Sequence, residues 1–350
     1  MKKSLRNAFL LFAIMYSAVN TTKGQDINNE PVAYMNAMST AETQMNKSYM
    51  AYISAAAHSS RKKKIEKLRV QAVNDIVICQ GTINNLPAYK GDNTLKQHSL
   101  AYVQLCYKVF NNDYAHIVNM EDIAERTYDE MQAYLLLEQA TNDTLAVAIK
   151  RVNNATHTFA AKYNINITEQ KTELGDKMEA TGRLNKYHNQ VYLLFYKCNW
   201  EDGQLTVAIN QKNVTKIEQM RSALKQFANE GLAVLDTMKV FENDPSLVQA
   251  CKQALVFYKT EAETGIPVVT DFYLKEENFN KLKATMDAKP ANQRTKDDVD
   301  TFNKAVADMN SGVNLLNQTN NNLNANRSAI NNNWMAVEAK FIDAHTPYYK

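Results

Sequence analysis

From Val299 to Phe341 the chain places an apolar residue at every third or fourth position: Val299, Phe302, Val306, Met309, Val313, Leu316, Leu323, Ile330, Trp334, Val337 and Phe341. Only Asn320 and Arg327 fall out of the pattern. This is helical periodicity, and about 50 residues at about 1.5 Å rise predict a rod of roughly 75 Å. A small bundle cannot bury such a helix along its length, so the helix must serve two packing units.

Composition agrees. There are nine Gly and six Pro in 350 residues, mostly between the periodic segments, and no stretch alternates as a half-buried strand would. The fold class is therefore all-α: two tandem, internally repeated antiparallel helical bundles linked by long shared helices. Helices are predicted near 30–58, 62–87, 94–115 and 119–140. Thr141-Asn142-Asp143-Thr144 should cap a nearly uninterrupted helix to about Cys198, ended by Glu201-Asp202-Gly203. Ile165-Asn166-Ile167-Thr168 is its weakest point, where β-branched residues and Asn lower helix propensity, but a continuous helix is expected. The later helices fall near 211–241, 245–264, 269–288 and 294–345, with Pro245 at a first helical position after an Asp244 cap.

The bundles are expected to be copies of one another. Ile65-Glu66-Lys67-Leu68-Arg69 recurs as Ile217-Glu218-Gln219-Met220-Arg221, an offset of 152. The same offset carries Leu86, Tyr89, Asp92 and Leu95 onto Met238, Phe241, Asp244 and Leu247. One residue is then lost: Tyr107-Lys108 meets Tyr258-Lys259, and Glu125, Tyr128, Met131 and Leu135 meet Glu276, Phe279, Leu282 and Met286. Apolar anchors and turn residues repeat, and no reactive constellation repeats with them. The predicted division is 1–24 as signal peptide, 25–170 as unit 1 and 171–350 as unit 2.

Lys2, Lys3 and Arg6 precede a short apolar run from Ala8 to Val19, the layout of a secretory signal peptide, with Thr22 and Gly24 as small residues before a cut at Gln25. No cysteine precedes Cys79, so the expectation is export without lipidation, to the periplasm, the outer surface or the medium. Residues 1–24 hold four basic residues and no acid, so 36 of the 40 basic residues remain to face 37 acidic ones. A near-neutral surface gives no electrostatic reason to propose nucleic acid as a partner. Arg61-Lys62-Lys63-Lys64 is the local exception and reads as a solvated helix start.

Candidate binding residues are few. Tyr187 to Lys197 is apolar nearly all round and belongs inside a bundle, where His188 and Tyr192 are either core residues or groups facing a ligand. Arg327 interrupts the seam of the last helix, where a guanidinium needs carboxylates; it either fixes helix pairing or receives an anion. The eleven asparagines between Asn310 and Asn333 are expected to lie mainly off the seam, exposed. Cys79 and Cys106 come to similar heights in a hairpin turning near residue 90, which leaves a disulfide and buried thiols both open. Asp143-Thr144-Leu145 and Asp236-Thr237-Met238 match a short O-glycosylation pattern and equally suit helix decoration. No zinc-protease helix, phosphate-cradling loop, nucleophile elbow or paired-cysteine metal site is present, so no enzyme, cofactor or metal is expected.

The run Tyr187-His188 through Lys197, the Ile217-Glu218 helix start, Asp271-Phe272-Tyr273-Leu274-Lys275-Glu276-Glu277 and Arg294-Thr295-Lys296-Asp297-Asp298-Val299-Asp300 carry a likeness. They resemble an uncharacterised Leptospira-type family of exported helical surface proteins. The resemblance implies an all-α build and a cell-envelope location. It implies no activity and brings no catalytic residue. Two functions stay open: a non-enzymatic envelope or secreted protein that meets an envelope or extracellular protein or glycan, or a periplasmic protein that binds a small ligand near His188, Tyr192 or Arg327.

Overall fold

The computed structural model describes residues 26–113, 127–169 and 172–349, with the backbone of Tyr16 and Ser17, and it is all-α. The one exception among these residues is a two-residue antiparallel pairing of Tyr16–Ser17 with Thr168–Glu169. Apart from the backbone of Tyr16 and Ser17, the segment expected to be a signal peptide, with its expected cut before Gln25, lies outside the described residues. No helix among the described residues is long and apolar enough to cross a membrane.

In chain order the helices are α1 (Pro31–His58), α2 (Lys62–Asn85), α3 (Thr94–Tyr107), α4 (Tyr128–Lys162), α5 (Glu173–Asn210), α6 (Val214–Thr237), α7 (Ser246–Thr260), α8 (Ile266–Ala288) and α9 (Lys296–His345). The chain divides at Asn189, not near 170: unit 1 runs to Asn189 and takes back Lys340 onward, while unit 2 is Gln190–Ala339. The first turns of α5 bury Leu174, Met178 and Leu184 and so belong with the helices before them.

The predicted continuous helix does break, at its weakest point. Asn164 turns left-handed at φ 54°, and Ile165 N–H donates to the Ala160 carbonyl at 2.8 Å, a Schellman closure that satisfies the end of α4. Two expected boundaries are absent. Thr141 and Thr144 lie inside α4, where their hydroxyls donate to the carbonyls of Leu137 and Ala140 one turn back. Glu201-Asp202-Gly203 lies inside α5, because Glu201, Asp202, Leu205 and Ala208 are all buried and packing overrides the low propensity of Gly203. Pro245 precedes α7 instead of opening it.

Unit 1 is centred on rings. Tyr34 stacks on Phe159 at 5.6 Å between centroids, and Tyr89 meets Tyr34, Phe159 and Tyr163 at 5.3, 5.4 and 4.8 Å. Both buried hydroxyls reach backbone: Tyr34 donates to the Pro87 carbonyl and Tyr89 to the Asn29 carbonyl, each at 2.9 Å. The chain's final residues close on α1. The His58 Nδ1 lies 2.8 Å from Asp343, its Nε2 donates to the Thr346 carbonyl at 3.0 Å, and the Tyr348 ring stacks on it at 3.6 Å. Tyr349 N–H donates to Ser54 Oγ at 2.9 Å.

The turn after α2 and the turn after α6 are built alike. Lys90 and Gly91 have φ of 49° and 82°, and Glu242 and Asn243 have 47° and 64°. Each pair sits inside an isolated bridge, Tyr89 with Asp92 and Phe241 with Asp244. Asp92 accepts from Thr94 N–H and Asp244 from Ser246 N–H, both at 2.9 Å, starting the next helix. The bounds of α2 fall 152 residues before those of α6, and α3 and α7 also start 152 apart. Each of the latter then passes into a π-helical turn, Lys108–Asp113 and Glu261–Gly265. The third helix of the predicted repeat begins among residues 114–126, outside those described.

In unit 2, α8 and α9 form an antiparallel hairpin. The Phe279 and Phe302 rings stack at 5.7 Å, and at Gly312 an added Cβ would lie 3.0 Å from the Phe272 ring, which would have to give by a few tenths of an ångström. Phe302, Met309, Leu316, Leu323, Ile330 and Val337 occupy one position of a seven-residue repeat, and Val299, Val306, Val313, Asn320, Arg327 and Trp334 the other.

Candidate functional site

Three residues carried the binding expectation, and the structure places them in different surroundings. His188 belongs to unit 1 and Tyr192 and Arg327 to unit 2. His188 is buried, with Nδ1 3.4 Å from Asn189 Oδ1. Asn189 donates in turn to the buried Glu138 carboxyl at 3.3 Å, and Tyr134 donates to its other oxygen at 3.0 Å. This is a satisfied core network. Tyr192 stacks on Tyr196 at 5.7 Å and meets Trp334 at 6.4 Å, while Phe195 lies flat on Trp334 at 4.3 Å.

Arg327 projects from α9 between α5 and the π-turn. Its Nε donates to both oxygens of Asp202 at 2.9 and 3.0 Å, its Nη2 to Glu261, and its Nη1 to Asn324 at 3.2 Å. The guanidinium side chain is 15% exposed, Asp202 6% and Glu261 0%, so one cation serves two carboxyls away from water. Burial pushes the Glu261 carboxyl up to about 9, the Asp202 charge adding and Arg327 opposing. Burial also raises Asp202, against the pull of Arg327. Glu261 therefore keeps its proton at neutral pH and shares it in a hydrogen bond with the Asp202 carboxyl, which raises Glu261 and lowers Asp202. A groove of about 270 Å³ runs beside the cluster, lined by Phe257, Thr264, Val268, Thr319 and Asn322, and Arg327 is not among its walls.

The asparagine-rich stretch of α9 does more than face water. Asn199 of α5 donates at 2.9 Å both to Asn331 Oδ1 and to the buried Tyr258 hydroxyl, and Asn333 donates to Gln253 at 3.2 Å. All four cysteines are buried free thiols, raised above their ordinary range by burial, so Cys79 and Cys106 do not form a bridge. Arg61-Lys62-Lys63-Lys64 is exposed at the start of α2.

A different set of residues stands out, and the sequence reading passed over it. Glu42, Asn46 and Tyr49 lie on one face of α1, at i, i+4 and i+7. Ser99, Tyr102 and Cys106 lie on one face of α3, and Cys79 comes from α2. Glu42 Oε1, both amide atoms of Asn46 and the Tyr49 hydroxyl are buried with no hydrogen-bond partner, and the buried Tyr102 hydroxyl has only the Cys106 thiol, a weak acceptor. Asn46 is 0%, Tyr102 1% and Tyr49 2% exposed. Burial raises Glu42 to about 7, opposed only by the Ser99 hydroxyl that donates to it. The Glu42 charge is felt by Cys79, Tyr102 and Cys106, and Tyr49 by Cys106, so these groups share one interior. Nearby Asp75 is satisfied, accepting from Ser48 and, at 2.9 Å, from Gln71. The signal was a carboxylate and an amide one turn apart in a stripe otherwise made of Met38, Met45 and Tyr49.

Comparison with known protein families, with curated proteins and with solved structures finds no match.

Proposed function

We propose that the chain is an exported, non-enzymatic envelope or secreted protein that meets an envelope or extracellular protein or glycan along the α8–α9 hairpin. The observation that carries this is the openness of that hairpin. Among the described residues, α8 after Phe272 and α9 before Leu323 hold no fully buried side chain. Leu274, Val299, Val313 and Leu315 are exposed at 50, 39, 38 and 52%. Two helices can cover only one side of each other's seam, and a further surface laid against those side chains would gain by their burial. The leader-like residues 1–24 and the family resemblance support the envelope location. We also read the matching turns and helix starts of α2–α3 and α6–α7 as remnants of a tandem duplication. The alternative, a small-ligand protein, draws its support from the Glu42 interior and not from His188, Tyr192 or Arg327.

A photo-crosslinking side chain at Val299, Val313 or Leu315, introduced in the native cell, should give a macromolecular adduct, whereas the same group at exposed Val70 or Val147 should not. Adducts from none of the three hairpin positions would overturn the reading.

A further inference from the structure

The Glu42 interior combines features that a merely structural core avoids. A buried polar atom without a partner costs about 1–3 kcal/mol, which is why native cores keep such atoms few and usually give them water, an ion or a ligand. Four such atoms are gathered here on α1, three of them oxygens: Glu42 Oε1, Asn46 Oδ1 and the Tyr49 hydroxyl. From α3 the Tyr102 hydroxyl, with only the Cys106 thiol as partner, keeps its oxygen lone pairs open. Among the described residues no lysine, arginine or histidine acts on Glu42; only burial and Ser99 set its state. The thiols and phenols around it, Tyr49 on α1, Cys79 on α2 and Tyr102 and Cys106 on α3, are all kept neutral by burial. Among the described residues, this interior thus sets the Glu42 carboxyl, with no cation acting on it, beside a surplus of oxygen acceptors. The Phe110 ring meets Tyr49 edge-on at 5.1 Å, which adds aromatic surface.

We propose that unit 1 binds a small primary ammonium between α1 and α3, its three N–H donors shared among Glu42, Asn46 Oδ1 and the hydroxyls of Tyr49 and Tyr102. An ammonium head has three donors and no acceptor, which matches a carboxylate, an amide oxygen and phenol oxygens. Its charge supplies the partner that Glu42 lacks, and adjacent ring faces favour a desolvated cation. Quaternary ammonium lacks the donors, and potassium lacks their direction. The inference rests on the small-ligand reading and is independent of the α8–α9 hairpin.

Binding carries a pH signature. Burial pushes the Glu42 carboxyl up to about 7. Below that pH a cation must displace a proton, so affinity should fall roughly tenfold per pH unit on the acid side and level off above about pH 8.

The test uses the purified full chain, with calorimetric titration of methylammonium, tetramethylammonium, potassium and acetamide at pH 6 and pH 8. Methylammonium should bind, more tightly at the higher pH, and the other three should not. Glu42→Gln should weaken methylammonium by about tenfold or more, as loss of a charged hydrogen-bond partner does. Should Glu42→Gln fail to fold, Tyr102→Phe, which keeps the ring, should still lower the affinity. Acetamide binding that survives Glu42→Gln would overturn the ammonium assignment while leaving a small-ligand site in place. No binding by any probe, with ordered waters bridging Glu42, Asn46 and the two phenols in a crystal structure, would overturn both.

Discussion

The Arg327 cluster of unit 2 and the Glu42 interior of unit 1 solve the same problem in opposite ways. Both place acids among helices, fully buried in unit 2 and half-buried, with one oxygen enclosed, at Glu42. In unit 2 the carboxyls of Asp202 and Glu261 face a guanidinium that donates to each, and the excess negative charge is removed by a proton on Glu261. In unit 1 Glu42 has the Ser99 hydroxyl but no cation among the described residues; the Asn46 amide and the Tyr49 phenol are left without partners, and the Tyr102 phenol has only a thiol. A closed network ties helices together, since breaking it costs more than forming it gained. An open network stabilises nothing by itself, so its persistence points to something that completes it.

The largest expected effect breaks the closed side. Arg327→Ala leaves two buried carboxyls without a cation and should lower unfolding free energy by about 3–5 kcal/mol, seen as a clear drop in melting temperature of ligand-free protein. Replacing Arg327, Asp202 and Glu261 together by apolar residues of like size should recover most of the loss. A melting temperature unchanged by Arg327→Ala would remove the contrast between the units.

Stability against pH distinguishes the two acids next. Each has a folded value raised above its ordinary 4.5, so each binds more protons folded than unfolded, and each contributes stability at low pH that is lost as pH rises. For Glu42 the loss is complete at about 7; for Glu261 it continues to about 9. Denaturation across this range should therefore show Glu42→Gln flattening the slope only below neutrality, and Glu261→Gln flattening it on both sides. The same slope in both variants would sink the assignment.

A smaller effect sharpens the open side. Asn46→Leu removes two unpartnered amide atoms and adds apolar contact, and should raise the stability of the empty protein by about 1 kcal/mol in urea titration while reducing methylammonium binding. A polar-to-apolar change that lost stability would mean the amide is already satisfied.

The smallest effects compare the twin turns. Gly91 at φ 82° stands where unit 2 has Asn243 at φ 64°. Gly91→Asn should shift stability by only a few tenths of a kcal/mol and Gly91→Ala should cost about 1 kcal/mol, because a non-polar Cβ is strained in that region. Equal costs for Asn and Ala would count against a shared turn design.

Much of this was open to a reader of the sequence, for identifiable reasons. Helix type and position followed from apolar spacing, so α1, α2 and α9 lie within a few residues of their expected ends, and the turn at 89–92 was marked by Gly91. What sequence did not show was packing. Nothing local distinguishes Thr141-Asn142-Asp143-Thr144 or Glu201-Asp202-Gly203 from true helix ends, and both are overridden by buried neighbours one turn away. Arg327 was visible because it interrupts a repeat, though Asp202 and Glu261, which meet it from helices far along the chain, were not. Glu42 and Asn46 escaped because their stripe in α1 is tyrosine- and methionine-rich and reads as amphipathic surface until the orphaned atoms are seen.

The clasp of His58 by Asp343, Thr346 and Tyr348 makes the last turns of the chain part of the first bundle. The two hydrogen bonds span 285 and 288 residues, so the closing entropy is that of a very long loop, although this grows only with the logarithm of its length. The timing matters more. A chain that emerges from the ribosome or a translocation channel amino end first presents α1 to α4 long before Thr346 exists, whereas Gln190–Ala339 is contiguous and can finish earlier. The first-made bundle is thus the last to be sealed, and a tag or truncation at the carboxyl end would disturb the opposite end of the sequence.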